Sequence, residues 1–182
     1  VYLCHVTHHR PCGRASPHRP MYDTEKALQA LLYVAQQHDR ADKHKVFKTL
    51  YFAEQTHMVR YGAPLLGDLF VAMPFGPVPR QTYDIVKADT FALRVEGDVI
   101  EAVAQPDLDY LSESEIECLD EAIALCATKS FRELCDLSHD AAWRGTSRNS
   151  VMSPVDIARA GGAPTAVLAY LQDVLATKYV FA

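Results

Sequence analysis

Residues 67–84, GDLFVAMPFGPVPRQTYD, constrain the fold more than any other stretch of the chain. An apolar run, Leu69 to Met73, meets Pro74, Gly76, Pro77 and Pro79 within the next six residues. Proline fixes φ and has no amide to donate, so three of them are not expected inside one regular element. The expectation is a short buried strand or extended segment that stops here and turns rigidly. Pro79 then suits the first turn of a helix spanning Arg80 to Lys87.

The rest of the chain reads as helices around one small β element. Asp23 or Thr24 caps a first helix with Leu28, Leu31, Leu32 and Ala35 on one stripe, ending near Gln37 to Arg40. Asp42 caps a second, where Val46, Leu50 and Ala53 form one face and Phe47, Tyr51 and Met58 broaden it. Gly62 and Pro64 stop it. Residues 91–104 read as a hairpin, with Phe91, Leu93 and Val95 alternating, then Val99, Glu101 and Val103, around Glu96-Gly97-Asp98. Ser112 with Glu115 and Ser130 with Glu133 are capping boxes. They open one helix with Ile116, Leu119, Ile123 and Cys126 inward and another with Phe131, Leu134 and Leu137 inward. Ser153-Pro154-x-Asp156 starts a short helix closed by Gly161-Gly162, and Pro164 starts a last one with Val167, Leu168, Leu171, Val174 and Leu175 inward. The predicted fold is mainly α (α+β): a bundle of about six to seven helices with a small hairpin or strand element. Residues 21–182 are expected to form one globular domain.

Charge is unevenly spread. Residues 1–20 hold three arginines, four histidines, two cysteines and no acid, leaving 15 basic and 23 acidic residues beyond them, a formal charge of −8. This first stretch has no periodicity and no long apolar core, and reads as a disordered or non-native extension. Cys4, His5, His8, His9 and Cys12 suggest zinc, but their spacing fits no standard finger. Cys118, Cys126 and Cys135 form no C-x-x-C pair and read as buried free thiols of a cytoplasmic protein. No apolar run approaches the roughly 18 residues of a membrane span.

Catalytic signatures are weak. Ser138-His139-Asp140 has the right residue types for a triad, but sequence neighbours do not point at one another as a triad must. They read instead as a helix end and a turn toward Trp143. His57 reads as a packed histidine. Gly67-Asp68 precedes an apolar strand rather than opening a helix, so it is not a phosphate loop. Glu113, Glu115 and Glu117 suit a helix start. The chain is read as a non-enzyme without cofactors or metal. A winged-helix reading, with Arg80 to Lys87 as reading helix and Glu96-Gly97-Asp98 as wing tip, is opposed by its acidic tip and by Asp84. Nucleic acid is therefore an unexpected partner.

Three motifs in order carry a resemblance: Lys48-Thr49-Leu50-Tyr51-Phe52-Ala53; Tyr61-Gly62-Ala63-Pro64 with Gly67-Asp68 and Phe70 to Pro79; and Leu137-Ser138-His139-Asp140-x-x-Trp143. Together with Leu111-Ser112-x-Ser114-Glu115 they make roughly residues 21–160 similar to the Panacea antitoxin domain family, also called SocA-like or phage-associated GepA-like. The resemblance implies a small cytoplasmic, bacterial or phage-borne antitoxin. Such a protein neutralises the toxin of a two-gene module by binding it. The alternatives are an adaptor that delivers a toxin to a AAA+ protease, or the winged-helix regulator. The family brings no catalytic residues with it, and residues after 160 match nothing assignable. Tyr51, Tyr61, Tyr83 and Trp143 are amphipathic side chains of the kind that anchor interfaces. With Pro77, Val78, Arg80, His139 and Asp140 they form the candidate protein-binding set. The acidic balance suggests a basic toxin by charge complementarity.

Overall fold

Helix α2 (Lys43–Tyr61) runs through the centre of the molecule, because every residue from Val46 to Glu54 is buried. A helix buried on all sides is a core element rather than an amphipathic surface one. Around it pack α1 (Thr24–Gln36), α4 (Glu113–Ala127), α5 (Phe131–Ser138) and α7 (Pro154–Ala160). The computed structural model describes residues 22–38, 41–88 and 90–177; the zinc reading at Cys4 to Cys12 lies outside them. Two short helices, α3 (Arg80–Lys87) and α6 (Ala141–Gly145), and a terminal α8 (Thr165–Thr177) complete eight α-helices among the described residues. Two antiparallel strand pairs make up the small β part: β1 (Phe70–Met73) with β2 (Gly76–Pro79), and β3 (Leu93–Glu96) with β4 (Val99–Ala102). The fold is mainly α, as the sequence predicts.

Helix starts lie where local chemistry puts them. Asp23, Asp42 and Ser153 accept backbone amides at the starts of α1, α2 and α7, and both capping boxes, at Ser112 and Ser130, are complete. Gly62, at φ 65°, ends α2 in the left-handed conformation that glycine adopts without penalty.

The proline stretch departs from its expectation. It is a hairpin, with Phe70 opposite Pro79, Met73 opposite Gly76 and Pro74-Phe75 as the turn, and Pro77 and Pro79 both lie inside β2. Alternation makes this possible. Every second amide of a strand points the same way, so the two ring nitrogens share the edge facing away from β1. The Arg80 amide, on the other parity, reaches Leu69 O at 2.9 Å. On the proline edge the Pro77 carbonyl accepts from Lys48 Nζ at 2.9 Å. On the far side of β1, residues 149–152 act as a third strand: the Ala72 amide donates to Ser150 O and that of Met152 to Phe70 O at 3.0 and 2.8 Å. Phe70 and Ala72 point into the core, while Val71 and Met73 face outward.

Asp68 ties the two ends of the hairpin together. Its carboxylate accepts the amides of Gln81 and Thr82 and the Thr82 hydroxyl at 2.7–2.9 Å. Pro79 supplies no side-chain cap to α3, so Asp68 does that task from before β1.

Two expectations are corrected, the extent of the second hairpin and the inward face of α5. In the second hairpin the buried residues are Leu93 and Ile100, Val103 is exposed, and Phe91 lies outside the strand, 95 % exposed. The pairing of Glu96 with Val99 leaves a two-residue turn, which sets the inward parity on β4 at Ile100. In α5 the eight-residue helix buries Leu134, Cys135 and Ser138, and its other face leaves Phe131 and Leu137 exposed. The hairpin tip is also no free wing. The Lys43 amide donates to Asp98 O, Lys43 Nζ donates to Gly97 O, and the Ile100 amide donates to Ala41 O, docking the tip on the start of α2.

Candidate functional site

The outward face of the three-stranded ribbon floors a groove of about 1200 Å³. Val78, Val71 and Val151 form one apolar row across the strands, because Val71 pairs with Val78 on one side and with Val151 on the other. The walls come from Lys43, His44 and Phe47 of α2, Arg80 and Tyr83 of α3, Phe75 of the turn and Phe131 of α5. Phe75 is 62 % exposed, Phe131 52 % and Val151 46 %. Aromatic stacking fixes this rim: His44 lies on Phe131 with centroids 4.0 Å apart, Phe75 meets Phe131 edge-on at 5.4 Å, and Tyr83 meets Phe47 edge-on at 5.5 Å. The backbone of Asn149 at the lip has φ 62°, a conformation asparagine tolerates better than most residues.

Pro74 also borders a second, smaller hollow of about 320 Å³, lined by Trp143, Arg144, Thr146 and Arg148. The turn Pro74-Phe75 is thus a ridge between an apolar groove and an arginine-lined one.

Beneath the ridge sits a buried polar cluster. Lys48, 1 % exposed, holds the Pro77 carbonyl, and burial pushes its amine down to about 8. Burial, reinforced by the Lys48 charge, lowers His44 to about 4. Cys135 Sγ stands 3.3 Å from His44 Nε2, close enough for a nucleophile–base pair. Burial raises the thiol, however, so at neutral pH the pair is a thiol beside a neutral imidazole rather than a thiolate–imidazolium. Its visible work is structural, since both groups converge on the Phe75 carbonyl. Ser138, His139 and Asp140 form no triad: Ser138 Oγ donates to Cys135 O, and Asp140 caps α6.

The candidate residues separate into three groups. Val78, Arg80 and Tyr83 line the groove, with Pro77 buried directly below it. Tyr51 has no exposed surface; its hydroxyl donates to Asp140 Oδ2 at 2.6 Å, Gln55 Nε2 donates to the same oxygen, and Asp140 Oδ1 accepts the Trp143 amide at 3.0 Å. Asp140 thereby fastens α6 to α2. His139 stacks on Trp143 at 3.6 Å and the indole donates to Met73 O at 2.9 Å, so this motif braces the ridge from behind. Tyr61, at the far end of α2, stacks on His57 and donates to Glu117, away from the groove. His57 itself is packed against Ala63 O and Ser114 Oγ. Met73, Phe75, Phe131, Val151 and Asn149 were not legible as site residues. The one local signal is an aromatic, Phe75, placed between prolines at a turn.

No described helix is long and apolar enough to cross a membrane. No curated protein and no solved structure matches the chain. The family model described as "Antitoxin SocA-like, Panacea domain" matches residues 46–144, just over half of the chain. That span begins in α2, contains the proline hairpin and ends one residue past Trp143. Within it lie most of the central helix, the ridge it supports and the brace behind that ridge. The chain belongs to the antitoxin SocA-like, Panacea domain family.

Proposed function

We propose that this protein neutralises a cognate toxin by direct binding, with the groove over the β1–β2 ribbon as the contact surface. The observation that carries the reading is the exposed apolar cluster formed by Val151 and Met73 on the outward face of a proline-locked ribbon, Phe75 at its turn and Phe131 beside it on α5. Contiguous exposed apolar surface of this kind is kept where a partner covers it. Rigidity lowers the ordering cost of binding. Family membership supports an antitoxin role, and no arrangement described above needs a substrate.

The test is growth rescue on co-expression with the reading frame adjacent to its gene, once that frame alone proves toxic. Phe75→Asp, Tyr83→Ala and Val151→Glu are expected to lose rescue while keeping the far-UV CD spectrum and melting temperature of the parent. Full rescue by all three soluble variants would refute the groove as the contact. Rescue that also requires a AAA+ protease would assign the protein an adaptor's role instead.

A further inference from the structure

Resting on that reading, we infer that the partner segment taken by this surface is acidic and amphipathic. Its apolar side chains would sit on the valine row, and its carboxylates would reach the arginines on either side of the ridge.

The charge distribution supports this reading. The groove and the smaller hollow flank the ridge at Pro74, which lines both, and together they present Lys43, Arg80, Arg144 and Arg148 against Asp42 and Asp98, with Lys48 buried beneath. That positive excess lies on a protein whose residues beyond the first twenty sum to −8. Asp42 is already committed to capping α2 through the Lys45 amide. Elsewhere four exposed cations are matched, Arg60 with Glu121, Lys87 with Asp84, Arg94 with Glu101 and Arg159 with Asp156. Of the exposed arginines outside this face only Arg132, next to the groove-lining Phe131, has no ion pair among the described residues. Arg80, Arg144 and Arg148 form no ion pair among the described residues, and all three are exposed. Cations left unmatched beside an apolar floor attract a partner of the opposite sign. This reverses the basic toxin suggested by overall charge, because the face, rather than the sum, meets the partner. A nucleic acid would also seek arginines and could stack on the Phe75–Phe131 rim, but the valine row along the floor suits apolar side chains and offers no surface for stacking bases. An amphipathic peptide is therefore favoured, and an RNA probe tests the other case.

Fluorescein-labelled 16-residue peptides test the proposal by anisotropy with the full chain. One carries Leu and Phe at positions i, i+3, i+4 and i+7 with Glu elsewhere; a second replaces Glu by Lys; a third keeps Glu and replaces Leu and Phe by Ala. A 12-nucleotide single-stranded RNA is the fourth probe. The first peptide is expected to bind at least tenfold tighter than the others, and to weaken as salt is raised. Arg80→Glu and the double change Arg144→Glu, Arg148→Glu are each expected to weaken it about tenfold. Equal or tighter binding of the lysine peptide or the RNA, or no binding of the acidic peptide, overturns the proposal. The growth assay separates the two readings. Loss of rescue by Val151→Glu with full rescue by the arginine reversals keeps the groove as the toxin contact and overturns the acidic partner. Charge-selective peptide binding with full rescue by Val151→Glu upholds the acidic preference and refutes the groove as the toxin contact.

Discussion

Replacing Gly76 with alanine tests whether the ridge is locked in the way the geometry requires. Gly76 has φ 99°, where an L side chain is strained at a cost of roughly 1–2 kcal/mol. A Cβ there would also lie 2.4 Å from Ser138 Oγ and 2.7 Å from Lys48 Cε. Neither neighbour can retreat easily: Ser138 is fully buried and bonded to Cys135 O, and Lys48 is tethered to Pro77 O. Overpacking of this sort costs about 1–3 kcal/mol. Gly76→Ala should therefore destabilise by roughly 2–5 kcal/mol, read from urea unfolding followed by CD. Ser138→Ala removes the closest of these atoms, and the double variant should recover about 1 kcal/mol or more of the loss as a coupling energy. The strain at φ should persist. A cost below about 1 kcal/mol for Gly76→Ala, or strict additivity in the double variant, would refute the argument.

Asp140→Ala should cost about 3–4 kcal/mol, because it removes a helix cap and leaves the buried Tyr51 hydroxyl without its acceptor; a loss under about 1 kcal/mol in chemical denaturation would contradict the brace. Burial pushes Glu54, which accepts the Leu66 amide at 2.7 Å, up from 4.5 to about 7. The folded carboxyl holds its proton more tightly than the unfolded one, so its contribution is full below pH 4.5 and lost as pH rises to about 7. That loss is roughly 3 kcal/mol. The stability difference between parent and Glu54→Gln should change across this window, and a flat difference would rule the titration out. The sole tryptophan, Trp143, stacks on His139, whose protonation burial defers below the ordinary histidine range. Acidification should quench its emission only below that range, and His139→Asn should abolish the step; an unchanged step would assign it to another group.

The parts of the fold written locally were the legible ones. Ser112 with Glu115 and Ser130 with Glu133 announce helix starts because donor and acceptor lie three residues apart. The central helix was legible from its density of apolar residues. Asp68 was not, since it caps α3 from the other side of a hairpin, and no local pattern records that closure. Pro77 and Pro79 argued against a strand until their alternate spacing placed both on one edge. Phe131 has the right spacing for a core residue, yet α5 presents it to Phe75 and His44 instead. The groove draws on five separate segments, and its valine row exists only because residues 149–152 return to pair with β1. The motif ending in Trp143 was visible in the sequence, but its role as a brace depends on Tyr51, which lies 89 residues before Asp140.

Prolines on the side of β2 that faces away from β1 limit how a partner could approach. A strand arriving there would find no amides at positions 77 and 79, and a carbonyl at 77 already held by Lys48. The β2 edge of the ribbon therefore refuses edge-on extension, whether by a second copy of the chain or by a partner's strand. A partner bound at the proposed groove would thus meet the face, where side chains alone do the discriminating. Because no backbone pairing has to be preserved there, exchanging Val71, Met73, Val78 or Val151 can retune what is recognised while the supporting strands keep their register.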